Sequence, residues 1–94
     1  MQRVLTVEDS FTIAKKGVVV LPSVPLEFFQ GKLLPQLVEL RLPDGSTVEV
    51  AAHFSIPRRT PPITEYELVC QLPNIKRAVP AGTEIWAELK RDTE

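Results

Sequence analysis

The chain has 94 residues, of which 44% are hydrophobic, which is enough for one small domain with a single core. Its formal net charge of −1 excludes a general electrostatic attraction to nucleic acids or acidic membranes, so polyanion binding would need a local basic patch. A single cysteine excludes an internal disulfide, and one cysteine with one histidine cannot form a zinc site by themselves.

The sequence shows no signal peptide or membrane segment. Glu8 and Asp9 interrupt the N-terminal region before an apolar run develops. No segment approaches the roughly 20 apolar residues that a helix needs to cross a bilayer. We therefore expect a cytoplasmic protein with one domain over residues 1–94, in which residues 90–94 form a frayed tail.

The chain opens with a strand pattern, since polar and apolar residues alternate between residues 4 and 13. The apolar side chains predicted to share one inward face are Leu5, Val7, Phe11 and Ile13. Asp9 is the misfit on that face, and a bulge or a bend capped by its carboxylate explains it better than a catalytic role. Residues 14–17 predict a tight turn in which Gly17 takes a positive φ.

The next segment predicts a buried strand followed by irregular chain. Residues 18–21 form a continuous apolar run, and Pro22 and Pro25 are expected to end its ladder. Phe28 and Phe29 cannot both face inward from a regular strand. One is predicted to plug the end of the core, while the other meets solvent or another chain.

Residues 37–42 and 46–54 predict the clearest hairpin of the sequence. The Pro-Asp-Gly-Ser sequence at 43–46 supplies the turn, because proline presets φ, Asp44 bonds locally and Gly45 accepts a left-handed conformation.

The second half predicts two more strands, at 66–72 and 83–89, separated by proline-containing loops at 56–64 and 73–82. Together the segments give about six strands with no convincing helical period, and the nine prolines cluster in connections. The sequence therefore predicts an all-β fold, closed or sandwiched. A small closed antiparallel β-barrel would also remove exposed sheet edges.

Few residues could support catalysis. Cys70 alternates inward and is expected to be an inert core thiol, while His53 falls on the polar face of its strand. The carboxylates lack the spacing of a paired acid and base, and no glycine-rich phosphate loop occurs. We expect no enzyme, no nucleotide hydrolysis, no metal site and no cofactor.

Basic residues occur as pairs in the predicted loops, and Arg58, Arg59, Lys76 and Arg77 would form a phosphate-binding cluster if the two loops open at the same end. The alternative is that these pairs keep the loops soluble and balance the acidic residues. Trp86, on an outward face, is predicted either to cover the fold by packing on Leu37 or Val69, or to anchor a partner.

Four collinear features, together spanning residues 5–89, resemble a known family. They are Glu8-Asp9 with Phe11 and Ile13 before Gly17-Val-Val-Val, then Gly31 to Leu40 with Val38-Glu39-Leu40, Phe54 before Arg58-Arg59, and Asn74-Ile-Lys-Arg before Gly82 and Trp86. This arrangement is similar to the second-domain β-barrel of translational GTPases such as elongation factor Tu. The chain departs from the family at Leu21-Pro22, where Thr-Gly is usual, and at Ala78-Val79, where acidic residues are usual.

The resemblance implies a closed barrel of the elongation factor Tu domain 2 type. In that family the barrel packs on a GTPase domain and, in the elongation factor, helps to hold the aminoacylated end of tRNA. The leading hypothesis is a non-enzymatic binding module that contacts structured RNA or a translation-associated protein through its basic loops. The alternative is a protein-interaction or assembly module that uses Trp86, Phe28 and Phe29, with a homodimer as one form of it.

Overall fold

The computed structural model describes residues 1–55, 67–75 and 78–91. The described chain is all-β apart from one short 3-10 turn at Leu26–Phe29. Its strands are β1 (Gln2–Thr6), β2 (Asp9–Ile13), β3 (Gly17–Pro25), β4 (Leu37–Arg41), β5 (Thr47–Ala51), β6 (His53–Ser55), β7 (Glu67–Leu72) and β8 (Glu84–Ala87).

The strands form two antiparallel sheets of four strands each. In the first, which we call sheet A, the order is β1-β8-β4-β5; in the second, sheet B, it is β2-β3-β7-β6. The predicted all-β class is therefore confirmed. Over the described residues neither sheet closes on itself, so each keeps two edge strands where a closed barrel would have none.

In the described residues there are eight strands instead of the predicted six or so, because two predicted strands each cross from one sheet to the other. The first crossing falls at Val7 and Glu8. The Val7 N–H donates to the Thr83 carbonyl beside sheet A at 2.7 Å, whereas the Glu8 N–H donates to Leu21 of sheet B at 2.8 Å. The backbone hydrogen bonds of neighbouring residues thus go to different sheets, and the chain bends between them.

This crossing makes part of the predicted inward face wrong. Leu5 and Val7 are buried, as predicted, but Phe11 and Ile13 are exposed. In β2 Ser10 and Thr12 pair with the fully buried Val20 and Val18, so the even-numbered side chains point to the core side of the sheet, although Ser10 is half-buried and Thr12 is exposed. The polar–apolar alternation of the sequence continues through the bend. The side chains that point inward, however, are odd-numbered before the bend and even-numbered after it.

The second crossing divides the predicted strand 46–54. The Ala52 N–H donates to the Gln36 carbonyl at 2.9 Å, which prolongs the β4–β5 ladder of sheet A. The next residue, His53, already pairs with Gln71 of β7 in sheet B. A two-residue step thus carries the chain across the core.

The turn predictions are confirmed. Gly17 and Gly45 have φ values of +92° and +93°. The Asp44 carboxylate accepts the Ser46 N–H at 2.9 Å, and the Asp9 carboxylate accepts the Ser10 N–H at 2.8 Å at the start of β2. Strand β3 is longer than predicted, since it runs on to Pro25, but its register against β7 shifts between Val20 and Val24.

One buried cluster fills the space between the sheets. Its fully or nearly fully buried members come from both sheets: Val7, Val18, Val20, Val38, Leu68, Cys70, Leu72, Ile85 and Ala87. Burying a valine or leucine side chain contributes about 1.5–3 kcal/mol. Among the described strands none of sheet A pairs with one of sheet B, so the shared core holds the two sheets together there.

No helix in the described part of the chain has the length and apolar character needed to span a bilayer.

Candidate partner-binding groove

A groove of about 550 Å³ lies at one end of sheet A. Leu37 and Val38 of β4 and Glu49 of the edge strand β5 line it from the sheet. The described residues that line it are Met1, Leu33, Leu34, Pro35, Gln36, Leu37, Val38, Glu49, Glu88 and Lys90. The sheet thus supplies one wall, and the segment that leads into β4 supplies the other.

The groove is unusual in how much apolar surface it leaves open to solvent. Met1, Leu33, Leu34 and Leu37 are exposed by 62%, 51%, 42% and 55% of their surface. Four of the eight exposed large hydrophobic side chains in the described chain therefore line this one groove. Single exposed apolar residues are ordinary, whereas a contiguous group of them is typical of an interaction site.

Backbone contacts to the C-terminal segment position the leucines of the wall. The Leu33 N–H donates to the Lys90 carbonyl at 2.8 Å, and Lys32 forms an isolated antiparallel bridge with Arg91. Gly31 precedes this bridge with a φ of +73°, which most residues adopt only with strain. The segment therefore lies along the chain after β8 instead of folding into the core.

The charges at the rim are of both signs. Glu49, Glu88, Lys90 and Met1, which carries the amino terminus, all line the groove. With these signs nearly balanced, the groove has no strong preference for an acidic or a basic ligand. Its apolar side chains determine what can bind.

Trp86 lies farther along the outer face of the same sheet and is held within the protein. The Arg41 guanidinium lies 4.0 Å from the centre of the indole ring, and the indole N–H donates to Glu84 at 2.9 Å. Arg41 also pairs with Glu39, and Glu84 pairs with Arg3 at 3.6 Å. Sequence reasoning offered Leu37 or Val69 as its packing partner, but Val69 belongs to sheet B and the observed ring contact is Arg41.

Phe28 and Phe29 divide as predicted, with one in the core. Phe29 is buried, and its ring meets Phe54 edge-on at a centroid distance of 5.3 Å. Phe28 is half-buried and packs against Phe29 at 5.1 Å, also edge-on. Neither phenylalanine lines the groove.

The predicted basic cluster lies outside the described residues, because Arg58, Arg59, Lys76 and Arg77 fall in 56–66 and 76–77.

Cys70 and His53, the residues considered for a catalytic role, differ in their exposure to solvent. Cys70 is fully buried, and burial raises the pKa of its thiol to about 12. His53 lies exposed on β6, as its place on the polar face predicted. Within residues 1–55, 67–75 and 78–91, no group of three or more His, Cys, Asp or Glu side chains could hold a metal ion.

Sequence reasoning missed the residues of the groove. A signal was present in Leu33-Leu34 followed by Pro35, an apolar pair outside any strand pattern and therefore without an assigned place in the core. The sequence alone does not show whether this pair is buried. Its exposure becomes clear only from the residues that surround it in the structure.

Comparison of the sequence with models of protein families, with curated proteins and with solved structures finds no match in any of the three.

Proposed function

We propose that this protein is a non-enzymatic protein-binding module whose groove holds an extended apolar segment of a partner protein. The observation that carries the proposal is the joint exposure of Met1, Leu33, Leu34 and Leu37 around one groove. Transferring such side chains from water to a partner contributes about 25 cal/mol for each Å² covered.

The edge strand β5 favours an extended partner over a helical one. Glu49 of β5 lines the groove, and in the described chain only β4 pairs with β5. A strand edge offers unpaired backbone groups to an added strand, whose alternate side chains can enter neighbouring pockets. A partner segment along β5 would thus gain backbone hydrogen bonds and apolar contacts together.

The proposal can be tested with peptides selected from a random peptide library displayed on phage, using the immobilised protein as bait. The groove variant carries Leu34→Glu and Leu37→Glu. The matched control carries Leu26→Glu and Gln30→Glu, since both residues are exposed and neither lines the groove or lies on β5. Thermal unfolding of both variants confirms that they fold.

We expect apolar peptides that bind the wild type and the control with similar Kd values, and that bind the groove variant at least tenfold more weakly. Peptides that bind both variants equally would place the binding surface elsewhere. If selection yields no binding peptide at all, the proposal fails.

We propose a relationship to the second-domain barrel of translational GTPases for the fold alone and not for the tRNA-binding site. Its support is the collinear set of residues between 5 and 89 described above. An RNA contact through Arg58, Arg59, Lys76 and Arg77 stays a prediction.

A further inference from the structure

Strand β2 forms an edge of sheet B and carries a second group of exposed apolar side chains. Only β3 pairs with it among the strands of the described chain. Phe11 and Ile13 are exposed by 52% and 40% on its outward face. Soluble proteins usually protect such an edge with charges, prolines or a covering segment, because an open apolar edge pairs readily with another strand.

The charges around β2 have a definite order along the chain. Glu8 and Asp9 stand at its start, and Lys15 and Lys16 stand in the turn after its end. All four side chains belong to exposed residues. The strand is thus acidic at one end, apolar in the middle and basic at the other end.

A strand with this order is complementary to a second copy of itself in the antiparallel direction. If a two-fold axis passes through Thr12, Phe11 of one copy lies opposite Ile13 of the other. In the same register the acidic start of one strand, at Glu8 and Asp9, lies at the end where the other copy has its turn with Lys15 and Lys16. Opposite residues of an antiparallel pair point to the same face, where cross-strand apolar and opposite-charge pairs each contribute about 0.2–1 kcal/mol.

The neighbouring register fits poorly. An axis through Phe11 would place Asp9 opposite Ile13, so this carboxylate would meet an apolar side chain, and the acidic start of each strand would move away from the lysine turn of the other copy. Register is specified where one face is patterned in this way. The axis through Thr12 is therefore the favoured one.

We propose that the protein forms a homodimer by antiparallel pairing of β2 with β2 of a second copy, centred on Thr12. The two copies of sheet B become one continuous sheet, and a C2 arrangement uses the same patch on both subunits. Phe11 and Ile13 are covered in the dimer, next to Val19, the partner of Phe11 in β3. This surface is separate from the groove on sheet A.

The test uses two variants of opposite charge. One carries Lys15→Glu and Lys16→Glu, which makes both ends of the strand acidic; the other carries Glu8→Lys and Asp9→Lys, which makes both ends basic. Each variant repels its own copies at both ends of the interface. An equimolar mixture of the two brings acidic ends to basic ends and restores attraction.

Molar mass is measured by sedimentation equilibrium over a wide range of protein concentration. We expect a dimer for the wild type, monomers for each charge variant alone, and a one-to-one dimer for the mixture. Phe11→Glu is expected to give a monomer, and the matched control Leu26→Glu a dimer. Far-UV circular dichroism verifies the fold of each variant.

A wild type that stays monomeric at the highest concentration overturns the proposal. So do charge variants that dimerise on their own, or a mixture that remains monomeric. The groove variant with Leu34→Glu and Leu37→Glu is expected to remain dimeric, so failure of the peptide-binding proposal and failure of the dimer are distinguishable.

Discussion

Arg41 places its guanidinium carbon 4.0 Å from the centre of the Trp86 ring, across the junction of β4 and β8. Trp86 is the single tryptophan of the chain, so its surroundings can be followed without interference. The same arginine pairs with Glu39, and the indole N–H donates to Glu84. The outer face of sheet A is thus tied together by one aromatic ring and the charged groups around it.

The first prediction concerns the energy of this contact. Cation–π pairs at partly exposed sites contribute about 0.5–1 kcal/mol. In a double-mutant cycle of Arg41→Ala and Trp86→Leu, we expect a coupling free energy of about that size, measured by urea unfolding followed by circular dichroism. Lys16→Ala, in the turn between β2 and β3, combined with Trp86→Leu serves as the additive control. Zero coupling between Arg41 and Trp86 would show that the ring contact contributes nothing to stability.

A second prediction compares two glycines with nearly the same backbone conformation. Gly17 and Gly45 have φ values of +92° and +93°, but a Cβ at Gly17 would lie 2.7 Å from the Pro73 Cα, whereas nothing lies within 4 Å of one at Gly45. Gly45→Ala is expected to cost about 1–2 kcal/mol from the left-handed backbone alone. Gly17→Ala is expected to cost about 1–3 kcal/mol more, from the steric clash.

Urea unfolding of both alanine variants measures this difference directly. Because the backbone cost is shared, the excess loss at Gly17 reports the close approach of the β2–β3 turn to the chain after β7. Equal losses of stability at the two positions would mean that the chain near Pro73 moves aside at little cost.

The sequence predicts burial correctly in strands whose polar–apolar alternation stays within one sheet. In β7 and β8 the observed alternation agrees with the inward direction predicted for Cys70 and the outward one predicted for Trp86, and Leu68, Cys70, Leu72, Ile85 and Ala87 are all buried. Turn chemistry was equally readable, because the preference of Asp44 and Gly45 for their conformations is local. Local rules predict these elements well, since no distant contact changes them.

The predictions from sequence fail where a contact with a distant part of the chain determines which face of a strand is buried. The sequence around Val7 and Glu8 does not show that the Val7 N–H bonds to Thr83 while the Glu8 N–H bonds to Leu21. That division turned Phe11 from a predicted core residue into an exposed one. The groove depends in the same way on the bond from Leu33 to Lys90, across more than half of the chain.

A third prediction concerns the turn between β4 and β5. Hydrogen bonds from the Ser46 hydroxyl and then from the Ser46 N–H lower the pKa of Asp44 below its ordinary value of 3.8. Because the folded pKa lies below that of the unfolded chain, ionised Asp44 stabilises the fold above the unfolded value. That stabilisation is lost as the pH falls through the folded pKa.

Titration of the Asp44 carboxyl by NMR checks this relationship. In Ser46→Ala, which removes the larger of the two causes, the Asp44 pKa is expected to rise toward its ordinary value. Thr47→Ala, which keeps both bonds, is expected to leave it unchanged. An Asp44 pKa that does not move in Ser46→Ala would contradict the assignment of its cause.

A fourth prediction concerns Cys70, whose thiol pKa burial raises from 9.0 to about 12. The neutral thiol is favoured in the fold, so its contribution is intact below 9.0 and is lost as the pH rises through about 12. The stability of the wild type should therefore fall more steeply than that of Cys70→Ala over this window.

The thiol of the folded protein is expected to resist a disulfide reagent near neutral pH and to react fully in denaturant. Rapid reaction of the folded protein would contradict its burial.

The last prediction tests the RNA contact expected from Arg58, Arg59, Lys76 and Arg77. The domain is titrated with bulk tRNA and ribosomal RNA at low and near-physiological salt, beside a variant with all four changed to Ala. A control variant loses the same number of positive charges at Arg3, Lys32, Lys90 and Arg91. If the four residues contact phosphates, log K falls with log salt at a slope of about −3 to −4, and only the first variant loses binding. Equal weakening in both variants would indicate non-specific attraction, and no binding at low salt would remove RNA as a partner.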